Sequence, residues 1–456
     1  MLDVVRKRNN RRTRGTVLIV AMWIILVLVG LVLVFARTMR VEAAAAANHV
    51  AALQAQAVGQ AALQFVLSQV DGTAGSYAPD AAGSCEAVQV GDGFFWLLNP
   101  GLGDDRTYSF GIRDEASRIN LNSATSDMLL KLPGMTAELA AAILDWRDGD
   151  SDVSPGGAES EYYLLLPDPY YCKNGPFETV EELLQVKGAS SQILFGEDAN
   201  LNGVLDPNEN DGGASDPPDN RDGHLDRGIN DYLTVYSKEP NTSSSGAARV
   251  NVNDSNMSAL SAVLRNIVKD DRFFQVMDRV RGGRPFRNVL DFYFRTGLTL
   301  SEFSQIADQL ATSSRGGNVV GLVNINTAPR EVLLCLPGLE ENDVAALITR
   351  RQASGTDLTS LAWVVDVLPQ EKAVAIGNLI TTRSFQFSAD IVAVSGNGRA
   401  LRRYRAVVDS ATSPPRVLSW KELTHLGWPL APAIFTGLRS GVSPAASVAL
   451  ARTGGR

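Results

Sequence analysis

The sequence predicts an α+β protein on an N-terminal transmembrane helix, its small antiparallel sheet interrupted by a large all-α insertion that contains helix-hairpin-helix-like units. Three observations predict this class. A charge-free run of 21 residues, Thr16–Ala36, stands near the N-terminus. Aromatic, alternating segments occur on both sides of the middle of the chain. Between them the apolar period becomes helical, and "NLNSATSDMLLKLPGM" (120–135) returns 204 positions later as "NINTAPREVLLCLPGL" (324–339).

The run "TVLIVAMWIILVLVGLVLVFA" is long enough to cross a bilayer as a helix, which takes about 20 apolar residues. Six Lys or Arg and one acid precede it in residues 1–15, and this basic flank keeps the N-terminus cytoplasmic and sends the rest across. A cleaved secretory signal is the competing reading, with a shorter apolar core of about 7 to 15 residues. Beyond the span, Ala, Gln and Leu continue without proline to about residue 70, with apolar positions three and four apart, so the helix runs on and lays one face on a folded domain.

Short strands follow in "FFWLLN" and "RTYSFGIRDEASRINLN". Two alternating runs around Ser395-Gly396-Asn397-Gly398 read as a β-hairpin, and "RVLSWKEL" as an edge strand. Within the helical block, "GPFETVEELLQVKG" and "RPFRNVLDFYFRTG" echo one another, which suggests duplicated small units. The chain thus divides into a basic segment 1–15, the helix 16–70, sheet pieces at 71–118 and 384–428, an inserted helical domain 119–383, and a patternless, flexible tail 429–456. The second hairpin occupies 322–352 of the insertion. Of the three cysteines, Cys85 and Cys172 are the more plausible disulfide pair, and Cys335 reads as a packed side chain.

"DANLNGVLDPNE" matches a calcium loop by position: Asp198, Asn200, Asn202, the turn glycine Gly203, the carbonyl of Val204, Asp206, and Glu209 at the twelfth place. A second, shorter cluster offers Asp211, Asp219, Asp222 and Asp226 for another ion. Between Glu197 and Asp231 stand ten acids and two arginines, a density that repels itself without cations. Two structural Ca2+ ions in loops 196–231 are therefore expected. "DWRDGDSD" (145–152) reads as a helix cap with local ion pairs. No nucleophile–base constellation, phosphate loop or zinc spacing is present, so neither a calcium-dependent hydrolase nor any other enzyme is expected.

Helix-hairpin-helix units commonly grip DNA, and a membrane-anchored DNA receptor of the competence type is the alternative function. Against it, each turn has one glycine, and Glu340, Glu341 and Asp343 follow the second; phosphate is repelled there. The formal net charge of -8 points the same way.

These segments, with "ILDWRDGD", "GAESEYY", "GEDANLNGVLDPNEND", "DGHLDRGINDYLTVYS" and "VNINTAPREVL", make the chain similar to the minor pseudopilin K family of the type II secretion system, from Arg11 to about Trp428. The resemblance implies a pilin-like domain, calcium in the insertion, and a complex with minor pseudopilins I and J at the tip of the pseudopilus. That complex supports export of folded proteins across the outer membrane, beside the major pseudopilin and inner-membrane platform proteins. It implies an inner-membrane, single-pass protein with a periplasmic bulk. It also implies a leader removed by a prepilin peptidase between Gly15 and Thr16, with methylation of the new N-terminus. Val20 stands at the fifth mature position, where most pseudopilins carry glutamate, and its lack of charge resembles the K type.

Overall fold

The computed structural model describes residues 13–76, 85–101, 105–313, 317–442 and 444. The basic segment before Thr13, part of the loop after the first helix and the end of the tail lie outside the described residues. Helix α1 runs 58 residues, Thr13–Val70. No proline interrupts it, and its apolar first half stands fully exposed from Val17 to Phe35. Among the described residues it is the one helix long and apolar enough to cross a membrane. Its second half buries Ala51, Ala55, Val58, Ala62, Val66 and Val70, three or four apart, as the sequence pattern requires.

That stripe packs on a sheet of β1 (Val88–Val90), β2 (Gly93–Leu98), β3 (Arg113–Asp114), β4 (Gln386–Val394), β5 (Leu401–Asp409) and β6 (Arg416–Glu422). The order is β1-β2-β4-β5-β6, antiparallel, with β3 continuing the β2 edge of β4. The predicted hairpin is β4–β5, and β6 is the edge strand. Because side chains alternate along a strand, Phe95, Leu97, Phe387, Ile391, Tyr404 and Val408 meet α1. Trp96, Leu98, Val392 and Val394 point the other way.

The second face explains a departure from the sequence reading. The supposedly patternless tail holds a helix, Pro432–Arg439, whose Ile434 and Leu438, with Leu430, close over Trp96, Val392 and Val394. Three apolar residues in an Ala/Pro/Gly-rich stretch are a weak pattern; burial on the sheet selects the helix. The rest of that face carries Ser388, Asp390 and Arg403, all buried, and the helical insertion lies over it.

The insertion is helix-dominated rather than all-α, because two- and three-residue ladders tie it together. Three of these are parallel and equivalent: Ile119–Asn120 with Leu233–Thr234, Val250–Asn251 with Leu310–Ala311, and Val323–Asn324 with Ile380–Thr381. Each opens with Asn-x-Asn. The first asparagine accepts from the backbone N–H two residues on, in Asn122, Asn253 and Asn326. The second donates to a distant carbonyl, that of Phe177, Phe286 or Leu358. The block is thus three copies of one unit, about 119–237, 250–313 and 323–384. The middle copy escapes a search for Leu-Pro-Gly because its helices, Ser258–Arg265 and Asp270–Gly283, are joined without that turn. One core runs through all three units. Cys172 is buried in it and Cys85 in the sheet core, so the more plausible pair is not joined by a disulfide.

Candidate metal centre

The acidic loops interrupt the first unit between the helix Ser191–Phe195 and the strand Leu233–Thr234. Their path is set by short-range bonds. Asp198 accepts from the backbone N–H of Asn202 at 3.0 Å and of Gly203 at 2.8 Å. Gly203, at φ 72°, supplies the left-handed residue the sharp turn needs. Glu209 reaches back to the N–H groups of Ala199 and Asp206, both at 2.9 Å, which draws the twelfth position onto the first. Asp206 accepts from the amide groups of both Asn200 (2.7 Å) and Asn202 (3.0 Å). Asp198, Asn200, Asn202, Val204, Asp206 and Glu209 therefore belong to one closed loop.

The electrostatics of this loop are those of carboxylates short of countercharge. Burial, with the Asp231 charge next, pushes the Asp198 carboxyl up to about 6. Burial also raises Glu209 to about 7, aided by the charges of Asp198 and Asp206 and opposed by the Asp206 N–H. Oδ1 of Asn200 is buried with no hydrogen-bond partner. Turning that amide over would add an oxygen to the three carboxylates, an all-oxygen donor set of the kind calcium takes. The residues present fit the ion in this respect. No three His, Cys, Asp or Glu side chains among the described residues stand ready-made around one point, so ion binding would have to draw the ligands closer.

The second group divides into two pairs. Asp222 and Asp226 converge on the amide of Asn220, at 3.2 and 3.0 Å. Asp211 closes a turn by accepting from Ala214 and Ser215, and Asp219 accepts from the N–H of Asp211, Gly212 and Arg221. Sequence reasoning missed Glu197, buried and accepting from the N–H of Asn220 and Asp226. It lies one place before the calcium pattern, so the pattern could not reveal it.

The loops also hold the insertion to the sheet. Arg403 of β5, fully buried, pairs with Asp390 at 2.9 Å and donates to the carbonyls of Asn200 and Leu201. Asn202 donates to the carbonyl of Pro429, Leu205 to that of Asp105, and Arg113 pairs with Asp231 at 2.9 Å. These loops thus form a seam between sheet and insertion. Gly15 and Thr16 lie in the first turns of α1, far along the chain from this centre.

The repeated hairpins face each other. Lys131, one residue before the first Leu-Pro-Gly, donates to the carbonyls of Leu334 and Leu336 at 2.9 Å each. Glu340 and Asp343 cap the helix Glu341–Gln352, and Lys372 pairs with Asp343. The lysine beside the first turn is thus engaged within the protein.

Residues 116–195 match the family described as type II secretion system (T2SS), protein K. A curated relative, the type II secretion system protein K of Pectobacterium carotovorum subsp. carotovorum, is 38% identical over 56 residues, which is 12% of this chain. The alignment spans 17% of that relative's length. Among solved structures, the GspK-GspI-GspJ complex from the enterotoxigenic Escherichia coli type 2 secretion system aligns with 81% of this chain and 96% of that one, at 13% identity and a TM-score of 0.40.

Proposed function

We infer the role of this chain from its family: it belongs to the protein K family of the type II secretion system, matched over residues 116–195, and works as a structural minor pseudopilin. The family is a component of the secretion machinery. In this reading α1 and the sheet form a pilin-like domain. The exposed apolar half of α1 sits in the inner membrane, with the basic N-terminus in the cytoplasm and the bulk in the periplasm. A prepilin peptidase cuts between Gly15 and Thr16. The chain caps the pseudopilus with minor pseudopilins I and J, and the broad insertion bars further subunits from stacking above it. Loops 196–231 hold Ca2+ through Asp198, Asn200, Asp206 and Glu209, with a second ion at Asp222 and Asp226, and so rigidify the seam under the tip.

The observation that carries this reading is a membrane-length helix packed on a sheet that is tied through Arg403 and Arg113 to the insertion containing the family-matched residues. The facing hairpins support a protein-packing role: Lys131 bonds within the fold, and the second turn leads into acids. The test is capture of purified pseudopilins I and J on the detergent-solubilised full chain, with calcium and with chelator. A ternary complex that weakens on chelation is expected. Failure to bind either pseudopilin in calcium would sink the tip assignment, and binding indifferent to chelator would remove calcium from it.

A further inference from the structure

The acidic run after the first hairpin lacks the counter-charges its sequence led us to expect. Among the described residues no Lys or Arg forms an ion pair with Asp145, Asp148, Asp150, Asp152 or Glu159. The neighbouring cations are engaged elsewhere: Arg147 on the carbonyls of Leu121 and Ala124, Lys173 on Glu182, and Lys187 on the carbonyls of Gly156 and Gly157. Asp145 is fully buried, and its carboxylate accepts only from the N–H of Ser154, at 3.2 and 3.4 Å. Glu159 is 2% exposed, and neither of its carboxylate oxygens accepts a hydrogen bond of good geometry.

Two further oxygens of the neighbouring segments lack a hydrogen-bond partner, Oδ1 of Asp148 and Oδ1 of Asn174, both buried. Glu159 faces the others: burial raises its pKa first, a hydrogen bond from the Cys172 thiol opposes this, and the charges of Asp148 and Asp145 raise it further. Asp148 is raised likewise, by burial and then by Asp150 and Asp145. Gly157 makes room for the Asp145 carboxylate, which occupies the place a Cβ would take. An unpaired buried carboxylate is costly in a fold. Here the fold sets Glu159 beside two like charges and offers it the Cys172 thiol and the Ser160 N–H but no cation.

We propose that Asp145, Asp148 and Glu159, with the Asn174 carbonyl oxygen, bind a divalent cation of the calcium class, separate from loops 196–231. Every donor is a hard oxygen, which selects calcium-like ions over zinc or copper. The one sulfur nearby, Cys172, is held as a thiol by burial, its pKa raised to about 11. The carboxylates are not yet gathered around one point; the ion draws them together by side-chain rotation. Its effect is to tie the end of the helix Ala137–Arg147 to the segment that begins at Gly157, behind Trp146, Tyr163 and Tyr170.

Trp146, adjacent in sequence to Asp145, makes the site observable, because terbium can replace calcium and take energy from a nearby indole. The full chain in detergent is titrated with Tb3+ under tryptophan excitation, for wild type, Glu159→Gln, Trp146→Phe and Asp198→Asn. A sensitised component is expected that Ca2+ displaces. Trp146→Phe should abolish it, Glu159→Gln should weaken it by roughly tenfold or more, and Asp198→Asn, in the other loop, should retain it. Emission that survives both Trp146→Phe and Glu159→Gln, or that Asp198→Asn alone removes, overturns the second site while leaving the loop reading intact. Circular dichroism checks that each variant is folded. If Glu159→Gln is unfolded, the decision passes to Trp146→Phe: calcium bound to it is counted by native mass spectrometry, and a count no higher than loops 196–231 alone account for refutes the proposal.

Discussion

The residues that matter most to this fold are buried and charged. Arg403, without any exposed surface, is bonded to Asp390 and to two loop carbonyls. Removing one partner of a buried pair strands the other, at a cost of about 3–5 kcal/mol. Arg403→Met should destabilise by that order, and Arg403→Met with Asp390→Leu should recover part of it, measured by denaturant unfolding. Asp114 behaves differently. It accepts from Thr327 and Ser384 at 2.5 Å each and from the Ala116 N–H at 2.8 Å, yet burial pushes its carboxyl up to about 6. An acid whose pKa is raised by folding stabilises below its unfolded value near 4, and that contribution is lost as pH rises to about 6. Stability should therefore fall between pH 4 and 6 through this residue. Asp114→Asn should flatten that part of the profile, and an unchanged slope would show that other groups govern it.

At the scale of elements, the C-terminal helix is the clearest case of tertiary context overriding local sequence. Its Ile434 and Leu438 are 5% and 2% exposed against the sheet. Large-to-small changes at such sites cost about 2–5 kcal/mol each, so Ile434→Ala with Leu438→Ala should lower the melting temperature by many degrees. A detached tail would show no change. The three Asn-x-Asn units make the complementary point. In each, a polar side chain does the work of missing strand length: Asn253 both donates to and accepts from Phe286, at 2.9 and 2.8 Å. These clamps let ladders of only two residues hold register, and three stacked copies share a single core.

For the whole molecule, the acidic loops are where sheet and insertion meet, so calcium should act on their relative rigidity more than on either core. An ion at 100 times its dissociation constant stabilises by about 2.7 kcal/mol. Chelation should then speed amide exchange in 196–231 and at the seam around Arg403, while the packed stripe of α1 against β4 and β5 stays protected. Uniform change over the whole chain would mean that the ions, if bound, are not confined to the seam.

The long apolar helix, the β4–β5 hairpin, the repeated Leu-Pro-Gly turns and the closed acidic loop at 198–209 were all legible in the sequence, for one reason. Each depends on residues close together in the chain: an unbroken apolar run, a period of two around a Gly-Asn-Gly turn, a Leu-Pro-Gly, acids and amides spaced over twelve residues. What stayed hidden depends on long-range contact. Asn-x-Asn does not announce a repeat until its parallel partner strand and distant carbonyl are seen, and the middle unit has no turn to mark it. The tail becomes a helix only on the face that Trp96 and Val392 offer. Glu197 and Glu159 look like ordinary surface acids until burial strips them of water. The sequence by itself determined the local elements and where charge accumulates. Only the tertiary structure decided which charges are left without partners, because burial and the position of countercharges are set by segments that meet only in the fold.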